Sequence, residues 1–228
     1  VLSAMLFILF INQAVQGVSS KCAMFADDIA LWSTDSSKEF SAFQLTHDLS
    51  LIGNWGNTFG MSFADRKCKA LWIERSRPST NPDIMFQGKP LGVVEVQRYL
   101  GMLIDCKLSF KNHIEQVIIR CTQKLGMLAR LKAYLSRRVT LHLYLSWIRP
   151  VIEYGCFIYM TMASSSQLAK LESIQRKCLL YSTKICRNVP TNVLEVETGI
   201  IPVRLLASQS GQRFILRHLK LYSHNGIR

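Results

Sequence analysis

Asp27 and Asp28 stand side by side in the stretch Lys21-Cys-Ala-Met-Phe-Ala-Asp-Asp-Ile-Ala-Leu-Trp32, with apolar residues before and after them. Two adjacent carboxylates between apolar strands are costly unless something cationic lies between them and another ligand. The order apolar, acidic, apolar predicts a β-hairpin with its acids at or near the turn. Successive side chains of a strand point to opposite faces, so one Asp would meet a metal directly, while the other would support it or reach round the turn. Mg²⁺ takes carboxylate oxygens together with substrate phosphates, so phosphoryl or nucleotidyl transfer is the chemistry such a pair could serve. A solvated Asp-Asp turn is the plain alternative.

The surrounding elements can be read from periodicity. Val1 to Ile11 is an apolar run too short to span a bilayer and without the basic residues that precede a signal-peptide core, so it predicts a buried helix and a chain that starts within a domain. Phe40, Phe43, Leu45, Leu49, Leu51, Ile52 and Trp55 predict a helix over residues 37–55 that Gly53 and Gly56 bring to an end. Strand-like pieces follow at 61–63, 70–73, 84–86 and 93–103, separated by turn clusters at 77–82 and 87–90. Up to residue 105 this is an α+β unit with mainly antiparallel strands. Beyond it the period becomes 3.6: Ile114, Val117, Ile118, Cys121, Leu125, Leu128, Leu131 and Leu135 form one stripe of a long helix. Further helices are expected at about 137–148, 164–184, 191–198 and 203–222, punctuated by Pro150, Pro190 and Pro202.

Charge changes at the same place. The 228 residues carry 28 Lys+Arg against 15 Asp+Glu, a formal net charge of +13. Residues 1–105 hold nine basic and ten acidic side chains, and residues 106–228 hold nineteen and five. With 49% apolar residues the chain is not of the disordered class. The surplus calls for a polyanionic partner, nucleic acid or an anionic membrane surface. Cations such as Arg120, Lys124, Arg130, Lys132, Arg137 and Arg138, on or just after the long helix, favour nucleic acid, because a merely solubilising face would intersperse acids. Seven cysteines contain no Cys-x-x-Cys pair and the five histidines do not cluster, so the thiols are expected to be reduced and mostly buried.

Phe25-Ala26-Asp27-Asp28 with its apolar continuation resembles the third polymerase motif of reverse transcriptases. Four further landmarks fall in that family's order. Val1-Leu-Ser-Ala-Met-Leu-Phe7 with Ile11-Asn12 resembles the helix after the Gly-x-Pro-Gln-Gly loop, with Ala4 where Pro is usual. Trp55, Phe59-Gly-Met-Ser-Phe63 and Lys67 are similar to the fourth motif, and Tyr99-Leu-Gly101, Asp105, Leu108-Ser-Phe110 and His113-Ile114 to the fifth and the approach to the thumb. Tyr154-Gly155, Leu171, Ile174-Gln-Arg176, Pro190, Leu194, Gly199 and Pro202 follow the helical tail beyond it. The resemblance is to reverse transcriptases of non-LTR (LINE-type) retrotransposons and covers essentially the whole chain.

That resemblance implies an α+β fold in which residues 1–105 are the C-terminal part of a polymerase palm and residues 106–228 an all-α thumb and tail. It implies RNA-directed DNA synthesis from dNTPs by a two-metal mechanism, on an RNA template with a DNA primer, in an intracellular, nuclear setting and away from membranes. Asp27 would be the principal Mg²⁺ ligand and Asp28 its weaker neighbour. Lys67 would sit near the incoming nucleotide as charge stabiliser and acid, with a solvated lysine among Arg66, Lys67 and Lys69 as the alternative. Phe25, Tyr99, Leu100 and Gly101 would meet the primer, and Arg120, Lys124, Arg130 and Lys132 the nucleic-acid backbone. The family's site also needs a first-motif Asp and the fingers, which do not occur in these 228 residues. The chain alone is therefore expected to be inactive, and a remnant that only binds nucleic acid is the alternative function.

Overall fold

Helix dominates the order of elements, and the short strands come in pairs. The computed structural model describes residues 2–64, 66–74 and 81–224, the side chains at 218 and 220–224 excepted. The predicted turn at 77–82 lies mostly outside these residues. The chain divides into two compact units, one up to Gln97 and one from Arg98 on.

In the first unit α1 (Leu2–Ile11) and a 3₁₀ turn (Asn12–Val15) precede the hairpin β1 (Lys21–Phe25) and β2 (Asp28–Trp32). Helix α2 (Lys38–Thr58) follows, then β3 (Lys69–Ala70), β4 (Met85–Phe86), β5 (Lys89–Pro90) and β6 (Gly92–Val93). Pairs β1–β2 and β4–β5 are antiparallel, whereas β3–β6 is parallel. Met61–Phe63, expected as a strand, has no ladder partner among the described residues. The core is small: Ala42 of α2, Ala70 and Ile84, with Leu45, Leu49, Trp72 and Leu91 against them.

Two expectations change here. The apolar run does form a helix, but Leu2, Met5, Leu6, Ile8 and Leu9 are exposed and Ile11 alone is buried. A helix apolar on every side needs cover on every side. The described part of this unit supplies it only near the C-terminal end, where Phe10 packs against Trp55 and Phe59 at 5.1 and 5.2 Å between ring centroids. Helix α2, capped by the Ser37 hydroxyl accepting from the Phe40 N–H, runs straight through Gly53 and Gly56. Gly56 serves close packing. A Cβ on Gly56 would come within 2.5 Å of the Phe63 ring, a distance that forces a shift.

The second unit opens with the hairpin β7 (Val96–Tyr99) and β8 (Met102–Asp105), the chain crossing between units within β7. Helices follow as α3 (Lys111–Leu131), α4 (Arg137–Leu143), a π-helical segment (Tyr144–Ile148), α5 (Arg149–Glu153), α6 (Cys156–Tyr159), a 3₁₀ turn (Met160–Met162), α7 (Ser165–Thr183), α8 (Thr191–Thr198) and α9 (Val203–His224). The stripe on α3 is buried as expected at Ile114, Val117, Cys121, Leu125 and Leu128, and packs with Tyr144, Ile148, Ile152, Tyr159, Leu171, Leu179, Leu194 and Leu206. Leu131, at the helix end, is 48% exposed. The helix expected over 137–148 changes pitch at Tyr144: Pro150 offers no N–H, and the Arg149 N–H reaches back five residues to the Tyr144 carbonyl.

Only Cys121, Cys156 and Cys178 are buried, while Cys22 and Cys186 are exposed, so the thiols are less buried than their composition suggests. Burial pushes the Cys121 thiol up to about 11 and Cys178 to about 12, which leaves both inert. Among the described residues no helix is long and apolar enough to cross a membrane.

Candidate functional site

Five residues pair on each side of the β1–β2 hairpin, from Lys21 opposite Trp32 to Phe25 opposite Asp28, so the turn itself consists of Ala26 and Asp27. Strand periodicity then places Phe25 and Asp28 on one face at the tip, with Asp27 projecting from the turn. Ala26 has φ 53°, a left-handed conformation that a Cβ makes unfavourable by roughly 1 kcal/mol. The two-residue turn that aims the aspartates is therefore bought with backbone strain. Phe25 is 64% exposed, and Asp27 and Asp28 are exposed with it.

One helix holds both feet of this hairpin. Asp48, fully buried in α2, accepts hydrogen bonds from the backbone N–H of Ser19 at 3.2 Å and of Ser20 at 2.7 Å, just before β1. Gln44, one turn earlier on the same helix, accepts from the Ser33 hydroxyl at 2.7 Å, just after β2. Sequence reasoning passed over both residues. The available signal was an acid at position 48 inside the apolar stripe Leu45, Leu49, Ile52, where burial demands donors.

Burial alone would raise the Asp48 carboxyl, but donors from Ser20, Ser19 and His47 outweigh it and hold it at about 2. An unfolded aspartate titrates near 4, so this group contributes about 2 kcal/mol that is complete above about pH 4 and is lost as pH falls toward 2. Acid titration of the chain followed by circular dichroism should show stability falling through that window. In Asp48→Asn the fall there should be reduced, on a lower starting stability.

Lys67 lies in an exposed turn in which its own N–H and that of Cys68 both bond the Ala64 carbonyl. Phe63, of the same motif, packs edge-on to Phe86 at 5.4 Å. Among the described residues no group of three or more His, Cys, Asp and Glu forms, so no third such side chain joins Asp27 and Asp28. Two carboxylates offer hard oxygen donors of the kind Mg²⁺ takes alongside substrate phosphates, and as a donor set they fit that ion.

In the second unit Tyr99 ends β7, and Leu100 and Gly101 form the β7–β8 turn, with Leu100 at φ 44° and Gly101 at φ 81°. The Tyr154 hydroxyl donates to the Leu100 carbonyl at 2.6 Å, and a Cβ on Gly101 would touch the same ring at 3.4 Å. Tyr154 belongs to what the sequence presented as a separate landmark, and the fold makes it the brace of this turn. Asp105 accepts from the N–H groups of Lys107, Ser109 and Phe110 at 3.0, 3.0 and 2.6 Å. Burial opposes its ionisation, but these donors hold its carboxyl below the usual range. It thereby fixes the bend, with Leu108 and Phe110 at φ 52° and 53°, from which α3 starts.

Of the four cations expected to meet nucleic acid, Arg120 and Arg130 are exposed on α3. Lys124 uses one of its three donors on the Trp147 carbonyl at 2.7 Å and lies 5.3 Å from that ring's centroid, bracing the π-helical segment. Lys132, at the end of α3, sits over the Tyr181 ring at 4.1 Å.

The chain is 27% identical over 197 residues to a 115 kDa protein of the type-1 retrotransposable element R1DM of Drosophila melanogaster, covering 85% of this chain and 19% of that protein. It is 21% identical over 206 residues to a retrovirus-related Pol polyprotein from the type-1 retrotransposable element R1 of Nasonia vitripennis, covering 84% and 59%. To the RNA-directed DNA polymerase from the mobile element jockey of Drosophila melanogaster it is 26% identical over 160 residues, covering 69% and 17%. The chain thus spans from under a fifth to about three-fifths of the length of these relatives. No family model and no solved structure matches it.

Proposed function

We propose that this chain, whose homologues are Pol proteins and RNA-directed DNA polymerases of non-LTR retrotransposons, is the later half of a reverse-transcriptase palm followed by a thumb and a helical tail. Its reaction is nucleotidyl transfer from dNTPs to a DNA primer on an RNA template. The observation that carries this reading is the two-residue turn presenting Asp27 and Asp28 beside Phe25, clamped at both feet by α2. Asp27, projecting from the turn, is the principal Mg²⁺ ligand, and Asp28 supports it from the start of β2. Bound there with substrate phosphates, the metal supplies activation of the primer hydroxyl and neutralisation of the triphosphate. Lys67 brings an ammonium to the leaving phosphates, Phe25 is a primer contact of the first unit, and Tyr99 with the braced turn Leu100-Gly101 is a primer contact of the second. Arg120, Lys124 and Arg130 hold the backbone of the RNA–DNA hybrid, and Lys132 is a further nucleic-acid contact.

Two carboxylates are a sparse set for two metals. The 228-residue chain by itself accordingly binds primed template and gives no extension product with Mg²⁺ and dNTPs. The test is photo-crosslinking from a 4-thiothymidine at the primer 3′ end of such a hybrid. Peptides containing 25–28 or 99–101 should carry the label. Labelling confined to other peptides would overturn the reading, and extension abolished by Asp27→Asn would show that the pair suffices.

A further inference from the structure

Beyond the hairpin chemistry, the second unit contains a cavity of about 770 Å³ lined by Lys132, Arg176, Lys177, Tyr181, Lys184 and Arg187 among others, with no carboxylate in its lining. Positions 173, 176, 177, 180 and 181 recur at three and four residues, so they form one face of α7, with Lys184 at its C-cap, Lys132 at the end of α3 and Arg187 in the loop after α7 completing the wall. From 176 to 184 the stripe runs roughly 12 Å along the helix.

Some of this charge has a structural purpose. Arg176 donates to the Thr191 hydroxyl at 2.9 Å and to the Arg187 carbonyl at 2.8 Å, tying the loop to α8. Lys184 donates to the Leu135 carbonyl at 3.0 Å. Lys177 and Arg187 are exposed, and neither they nor Lys132 ion-pairs with a described acid. Elsewhere in the unit Glu172 pairs with Arg204 and Glu153 with Arg149, so these two acids already have cationic partners outside the cavity lining. Five cations converging on a concavity repel one another unless an anion enters it.

We infer that this cavity binds the phosphate backbone of a single nucleic-acid strand. Closely spaced phosphate oxygens are the chemistry it recognises, because every charged group in its lining is a cation and the remaining polar side chains there, Ser173 and Tyr181, are hydroxyls that can donate to the same oxygens. Bases are not read there, since Lys132 already covers a face of the one aromatic ring in the lining, so the site is sequence-tolerant. A duplex is a rod that carries its phosphates on a convex surface. A concavity between α3, α7 and a loop admits a flexible strand. The inference needs only the second unit and no metal, so it can fail while the palm assignment stands, and the reverse.

Fluorescence anisotropy of the whole chain in EDTA with a labelled oligouridylate of about 12 nucleotides tests it. Lys177→Gln with Arg187→Gln should weaken binding at least ~10-fold and lower the salt slope by about 2. The equal-charge pair Arg213→Gln with Arg217→Gln, both exposed on α9, should change it by under ~3-fold if the site rather than net charge holds the strand. Thermal melts should match wild type, because the side chains of Lys177 and Arg187 hold nothing in the fold. Equal losses from both pairs would overturn the inference, as would absent binding by wild type. So would tight binding of tripolyphosphate with none of the oligonucleotide, which would assign the cavity to free polyphosphate.

Discussion

Gln175→Ala is expected to cost the helical unit about 3–4 kcal/mol and to lower its melting temperature by roughly 10 °C. Gln175 is 1% exposed and stands at the centre of a polar network inside an apolar core. Its side-chain oxygen accepts from the Tyr144 hydroxyl at 2.6 Å and from Arg149 at 3.4 Å, and its amide donates to Glu195 at 2.8 Å. Arg149, 6% exposed, also donates to Glu153 and to the Ile201 carbonyl. Alanine would leave the Tyr144 hydroxyl without an acceptor and a buried guanidinium one bond short, and such orphaned groups bear the full cost of desolvation. Tyr144→Phe deletes only the hydroxyl and should cost about 1 kcal/mol. A loss for Gln175→Ala no larger than that of Tyr144→Phe, measured by chemical denaturation, would show that the network carries no special weight. Gln175 joins α7 to α8 and to the π-helical segment, so the same substitution should also loosen the packing that shapes the basic cavity.

The second large effect is ionic. Affinity of the chain for an RNA–DNA hybrid should fall on the order of 10³-fold between ~50 and ~200 mM salt, because six or more phosphate contacts release their counterions together. Residues 106–228 supply nineteen cations against five acids. Arg120, Arg130, Arg137 and Arg138 are exposed along and just after α3. Changing the hybrid's sequence should leave the affinity within a few-fold, since cations that track phosphates carry no base readout. A decline under ~10-fold over that salt range would mean that few phosphates are touched, and the thumb assignment would lose its physical support.

Much of this architecture could be read from local pattern. The hairpin at 21–32 was legible because apolar stretches on either side of an acidic pair are a short-range feature, and α3 because its buried stripe repeats over six turns. What escaped depends on partners far along the chain. Gly53 and Gly56 read as helix ends, since the ring that requires Gly56 small, Phe63, lies beyond the helix. Asp48 and Gln44 carried no motif, and their importance comes from serines 28 and 11 positions away. The change of pitch at Tyr144 follows from Pro150, which sequence reading treated only as punctuation. The basic cavity takes its wall from residues 132 to 187, and spacing alone could not bring Lys132 against Tyr181.

The clamp on the hairpin has a consequence for how such a chain ages. The groups to which the proposed function gives the chemistry, Asp27 and Asp28, are exposed and bear little of the fold, whereas Asp48 and Gln44, which hold the strands, are given no part in it. A copy of a mobile element drifting without selection can therefore lose either aspartate and still present an intact turn. Its silence would leave no mark on folding, expression or grip on nucleic acid. On the proposed function, dead copies of this kind in a genome carrying many would still compete with live ones for the same template.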